Sequence, residues 1–304
     1  MQENTLKINR FLIVYLLIYL VLALKGSLFF STELLNRITQ LLPVILGIGF
    51  LVLTRQSPRK TLQLHMPHPL SILLTIPLTF CLLPSIAIVN AASMVFFENH
   101  ISTTVSATVL QHGLVYSLLT FALMPACFEE FTFRGLLYGQ YRQKHVGKAI
   151  LLSALCFGLM HMNFNQFLYA FLLGICLAVL LEVSGSLLLP ILMHATFNGT
   201  SILLVYVEQQ IMTITGTVVA PTSSADAAAI LGQLLHFSTI VMAVGGLLLA
   251  GVLYYFIAVL NGKKGAFKTF KKDAFSKHTK LGSPALYAFL VICVLMCIMM
   301  EFIL

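Results

Sequence analysis

The stretch "PACFEEFTFRG", residues 125–135, sets Glu129, Glu130 and Arg134 into an otherwise apolar run. A charge at the centre of a bilayer costs at least a few kcal/mol even on a lenient insertion scale. Glu130 and Arg134 are four apart, so on a helix they share a face and can pair. Glu129 lies about 100° around the helix from Glu130 and is free for another role. Adjacent carboxylates resist joint ionisation, which leaves one able to hold a proton and to begin acid–base chemistry. Taken alone, the three charges fit a structural ion pair equally well.

Two histidines add to the cluster. "CFGLMHMN" contains His161, and "PILMHATFNGT" contains His194 with Asn198 four residues on. A lone histidine in a membrane helix is more often a helix–helix hydrogen-bond donor than a base or ligand. Depth argues for more than that. Glu129 stands thirteen residues before Arg142, and His161 thirteen after Lys148, each about 20 Å of helix. His194 stands twelve residues after Glu182, about 18 Å less the turn. Three spans thus bring these six polar side chains to one level near the midplane.

Two glutamates and two histidines can activate water directly. Glu129, His161 and His194 can also be drawn as ligands of a divalent metal such as zinc with an open position. Asn198 and Arg134 can donate to a developing oxyanion. There is no G-x-S-x-G turn and no H-E-x-x-H. Cys127 has no histidine beside it in sequence. The constellation reads as water-mediated hydrolysis inside a membrane.

The elements that carry these residues follow from composition. The 304 residues are 59% hydrophobic and 9% charged, with mean hydropathy +0.96. A soluble core of this length cannot hide that much apolar surface. Nine apolar spans can be drawn, roughly 11–30, 38–54, 68–97, 108–140, 148–163, 165–183, 186–207, 232–260 and 284–304. The expected fold is all-α, a polytopic membrane protein of about nine transmembrane helices with an active site in a helical-bundle cavity. β-alternation is absent, which argues against a barrel. Residues 1–304 read as one integral membrane domain, with 106–205 as the core carrying the polar cluster.

Orientation follows from charge. With the N-terminus cytoplasmic, inside segments hold 15 of the 18 basic residues, outside loops hold Lys25 and Arg37, and Arg134 lies within a span. The net charge of +8 therefore reflects topology rather than nucleic-acid binding. The loop "NGKKGAFKTFKKDAFSKHTK" is expected on the anionic inner leaflet. The N-terminus resembles a signal peptide but lacks a cleavage site, so it reads as a retained span. Six scattered cysteines read as small buried hydrophobes. Asn163, Asn165 and Gln166 read as satisfying a tight outer hairpin first and as substrate contacts second.

"EEFTFR", "FGLMH" and "HATFN" match E-E-x-x-x-R, F-x-x-x-H and H-x-x-x-N in that order. Together they resemble the three motifs of the CAAX-protease and bacteriocin-processing family of intramembrane proteases. That family includes type II CAAX prenyl endopeptidases and lysostaphin-resistance-like proteins. The resemblance implies an intramembrane endopeptidase in the plasma membrane with a cavity open to the cytosol. Its partners would be the lipid bilayer and a peptide or lipidated protein substrate. It implies Glu129 as the residue activating water, Glu130 beside it, and Arg134 organising the pair. His161 and His194 take the two histidine roles, and Asn198 an oxyanion-stabilising one. The family is commonly called a metalloprotease, yet two carboxylates and two histidines also suit a glutamate-type site. Three alternatives stand beside it: a proton-coupled transporter, a haem protein with His161 and His194 as axial ligands, and a non-catalytic scaffold or immunity protein.

Overall fold

The computed structural model describes residues 2–216, 224–274 and 281–302. Within them every regular element is helical. Eight helices are long and apolar enough to cross a membrane: α1 (Glu3–Leu28), α2 (Leu34–Leu53), α3 (Pro69–Met94), α4 (Ile101–Tyr141), α6 (Phe164–Ser184), α7 (Leu188–Thr215), α9 (Phe237–Leu260) and α11 (Pro284–Phe302). Between α4 and α6 lies α5 (Val146–Leu159), between α7 and α9 the short α8 (Ser224–Leu234), and after α9 the basic α10 (Gly265–Ala274). The protein is an all-α, multi-pass membrane protein.

The expected fifth span is the one that departs from full length. α5 has 14 residues, about 21 Å, short of the roughly 30 Å hydrocarbon core. It does not need to span alone. It pairs antiparallel with α6, and nine of its residues, from Val146 to Leu159, are buried. Two glycines allow the approach. A Cβ on Gly158 would lie 3.0 Å from the Phe167 carbonyl, and one on Gly174 would lie 3.0 Å from Ala154. Small residues at such crossings are how membrane helices gain close packing without a hydrophobic drive.

Local signals place the ends. Asn163 caps α6 by accepting from the Gln166 amide at 2.9 Å, which meets the backbone role expected of that hairpin. Gly185, at φ +68°, ends α6 in the left-handed conformation. Asn165 donates to Ser93 at 2.6 Å and to Asn90, tying α6 to α3 at the opposite end from Glu182.

At the other end, Glu182 accepts from Tyr138 at 2.5 Å and from Arg142 at 2.8 and 2.9 Å, a bidentate pair. Tyr141 donates to Asn9, which donates in turn to Leu281 and Ser283. These bonds lock the last turn of α4 to α6, α1 and α11. The polar cluster is held between two apolar groups. One is built on α1, α2, α5, α11 and the last turns of α4, the other on α3, α7 and α9, and α6 contributes a face to each.

Candidate active site

α4 is not a uniform helix. Gly113 breaks it at φ +77°, and two π-helical stretches, Leu119–Leu123 and Phe131–Tyr138, flank the α-helical turn Met124–Glu130 that carries both glutamates. π turns concentrate at functional sites because they re-aim side chains within a helix. Pro125 contributes to the distortion, since it has no N–H for the carbonyl four residues back, Phe121. That carbonyl accepts instead from the Asn198 side-chain amide at 3.1 Å.

The two glutamates occupy different environments. The Glu130 side chain is fully buried, and its Oε1 accepts from Arg134 Nη1 at 3.0 Å and from His194 Nδ1 at 2.9 Å. A carboxylate only accepts, so this contact puts the ring proton on Nδ1 and turns Nε2 towards the other side. There stands Glu129, whose side chain is 32% exposed and whose Oε2 lies 3.8 Å from His194 Nε2. That separation is too long for a direct hydrogen bond and suits a shared water.

Arg134 is wholly buried. Its guanidinium lies over the Phe157 ring, 4.2 Å from the centroid. The Phe157 ring also packs edge-on against His161 and His194, at 5.1 and 5.7 Å. One aromatic side chain therefore touches three of the polar residues. His161 follows the end of α5, and its Nδ1 donates to the orphan carbonyl of Phe157 at 3.0 Å, which leaves Nε2 free of that bond. The next residue, Met162, takes φ +52° and turns the chain towards α6.

Glu130, Arg134 and His194 thus form one hydrogen-bonded chain, with Glu129 beside His194 and His161 across Phe157. Asn198 joins through the α4 backbone rather than through these side chains. Three buried atoms, Glu130 Oε2, Arg134 Nε and Arg134 Nη2, have no hydrogen-bond partner among the described residues.

A metal ion at this site would draw its ligands from Glu129, His161 and His194. Among the described residues no group of three or more His, Cys, Asp and Glu is arranged to hold one. His194 Nδ1 is taken by Glu130 and His161 Nδ1 by a carbonyl. Both bonds leave Nε2 open, the nitrogen through which a histidine held in this way would bind a metal, while Glu129, His161 and His194 are not gathered around one point.

A family model described as Rce1-like, type II CAAX prenyl endopeptidase, matches residues 111–200. This segment is similar to that family. It runs from the first third of α4 through α5 and α6 into α7, and it contains all six polar residues. No curated protein and no solved structure matches the chain.

Two residues of this segment have roles that the sequence did not reveal. Phe157 stood in a motif without a role of its own. Gly174 was missed altogether, although its Cβ would lie 3.0 Å from Arg134 Nη2 and from Ala154, so a side chain there would crowd the guanidinium. The signal for Phe157 was its spacing, four residues before His161 on one helix face. Nothing local marks Gly174.

Proposed function

We propose that the chain is an intramembrane endopeptidase of the CAAX type, cleaving a membrane-associated or lipidated protein or a leader peptide by glutamate-activated water. The observation that carries this reading is the 3.8 Å gap between Glu129 Oε2 and His194 Nε2, with Glu130 holding the histidine from behind. A water in that gap gives one hydrogen bond to each.

Glu129 takes a proton from this water as its oxygen adds to the scissile carbonyl carbon. The same proton passes to the departing amine nitrogen as the C–N bond breaks. Glu130 keeps the His194 tautomer and ring orientation, as a carboxylate does for a catalytic histidine. Asn198 keeps its second amide hydrogen for the developing oxyanion, and His161 keeps Nε2 for proton exchange. The site is of the glutamate type. Arg134 acts through Glu130, since it is buried on the far side of that carboxylate.

The test is cleavage by purified protein in detergent. A farnesylated CAAX peptide and a membrane-anchored leader peptide are offered separately, with His194→Ala as the control. Cleavage of at least one, lost in the control, is the expected result. Equal product from the control would defeat the reading.

Orientation belongs to the same proposal: N-terminus cytoplasmic, in the plasma membrane, with the site open to the inner leaflet. The charge split supports it. Cysteine probes at 212–216 are expected to react with an impermeant reagent from outside, and probes at 263–266 to be spared. The reverse pattern would overturn the orientation and leave the chemistry untouched.

A further inference from the structure

Three basic side chains from two loops stand around one groove at the end of the molecule that carries the Arg142–Glu182 pair. The groove, about 260 Å³, lies between the α2–α3 connection and the start of α7, and is lined by Arg59, Leu64, His65, Met66 and Leu188. Lys263, just after α9, reaches its edge. Measured from the Cβ that Gly185 lacks, Lys263 Nζ lies at 3.4 Å and His65 Nε2 at 3.5 Å. The two groups are therefore no more than about 7 Å apart, in space that a side chain at 185 would fill.

Basic residues on a cytoplasmic face are ordinary. Their convergence here is not explained by topology alone. No hydrogen bond or ion pair joins Arg59, His65 or Lys263 to an acidic group among the described residues. Arg59 and Lys263 are cations, and without a counter-charge they favour an anion brought between them, to which the His65 ring can donate. Beneath them the groove is apolar, and Leu64, Met66 and Leu188 are 39%, 76% and 37% exposed. The connection is held in place rather than loose. Ser186 Oγ donates to the His65 carbonyl at 2.5 Å, the Leu187 amide donates to the Gln63 carbonyl at 3.2 Å, and Gln63 stands at φ +52°.

A basic rim over an apolar floor matches one kind of molecule, with an anionic head and a hydrocarbon tail. We infer that this groove binds an anionic phospholipid of the inner leaflet, with its phosphate between Arg59, His65 and Lys263 and the upper part of an acyl chain against Leu64, Met66 and Leu188. A free anion would satisfy the rim and leave the floor bare. Leu188 opens α7 six residues before His194, about 9 Å along the axis. The lipid would thus brace the end of the helix that carries the candidate histidine. The inference does not depend on proteolysis.

The experiment uses the full chain in mild detergent, with native mass spectrometry reading retained lipid. Phosphatidylglycerol and phosphatidylcholine of identical chains are titrated in parallel. Phosphatidylglycerol is expected to be retained and phosphatidylcholine not. Arg59→Gln and Lys263→Gln should each weaken retention about fivefold, and the double variant about twenty-fivefold. Lys25→Gln, near the other face, should leave it unchanged. These side chains are on the surface, so lipid-free thermal unfolding of the variants should match the parent. Equal retention of both lipids, or unchanged retention in the double variant, would overturn the site. Displacement of phosphatidylglycerol by an equal concentration of inorganic phosphate, or of an acidic peptide, would overturn the assignment of a lipid to it.

Discussion

Glu129→Gln is expected to lower the cleavage rate about 10²–10⁴-fold, the range for loss of a positioned acid–base group, with little change in thermal unfolding. The amide keeps the size of the side chain and can still hold a water. It cannot take a proton from that water. Stability should hold because Glu129 is 32% exposed and its nearest ionic neighbour, His194, is 3.8 Å away. A loosely engaged group of this kind contributes little to folding. Glu130→Gln, one residue on, should behave differently. It weakens the bonds to Arg134 and His194 together, so rate and unfolding temperature should fall in parallel. The measurement is single-turnover cleavage set beside a melting curve for each variant. Full turnover by Glu129→Gln would remove Glu129 from the chemistry and return the cluster to an ion pair that locks helices together.

Part of this arrangement was readable from residue order alone. The four-residue spacing of Glu130 and Arg134 implies a pair, and the structure closes it at 3.0 Å. Arg142 and Glu182 served only as depth markers for two spans, and they meet in a bidentate pair. That contact is why counting from them works, since it fixes α4 and α6 at a common level. What was not readable depends on tertiary fit. The π turns of α4 leave no mark in composition, because the choice between i+4 and i+5 acceptors is made by what packs around the helix. α5 was drawn too long for the same reason. The span was drawn through "HMN" to residue 163, yet Met162 turns left-handed and Asn163 already caps the next helix. Asn198 is four residues from His194, which suggested a shared face but could not reveal that its amide reaches the Phe121 carbonyl left without the Pro125 donor.

Arg134→Ala should lower stability by about 3–5 kcal/mol, the cost of removing one partner from a buried ion pair. Both side chains are fully buried, so the stranded Glu130 has no water to turn to. The truncation also leaves a void where the guanidinium lay over Phe157 and beside Gly174. Glu130 would keep only its bond to His194, and the histidine would gain freedom to swing from Glu129. Activity should therefore fall as well, but through geometry. The double variant Arg134→Ala with Glu130→Gln discriminates between causes. Removing the stranded charge should restore part of the unfolding temperature, because a neutral amide costs less to bury than a carboxylate. It should restore none of the rate, because the His194 ring would still lack an ionised acceptor. If Arg134→Ala stays within about 0.5 kcal/mol of the parent, the range of surface substitutions, the pair is not a buried one and the chain from Arg134 through Glu130 to His194 does not hold the site. If the double variant is no more stable than the single, the cost lies in the void and not in the charge.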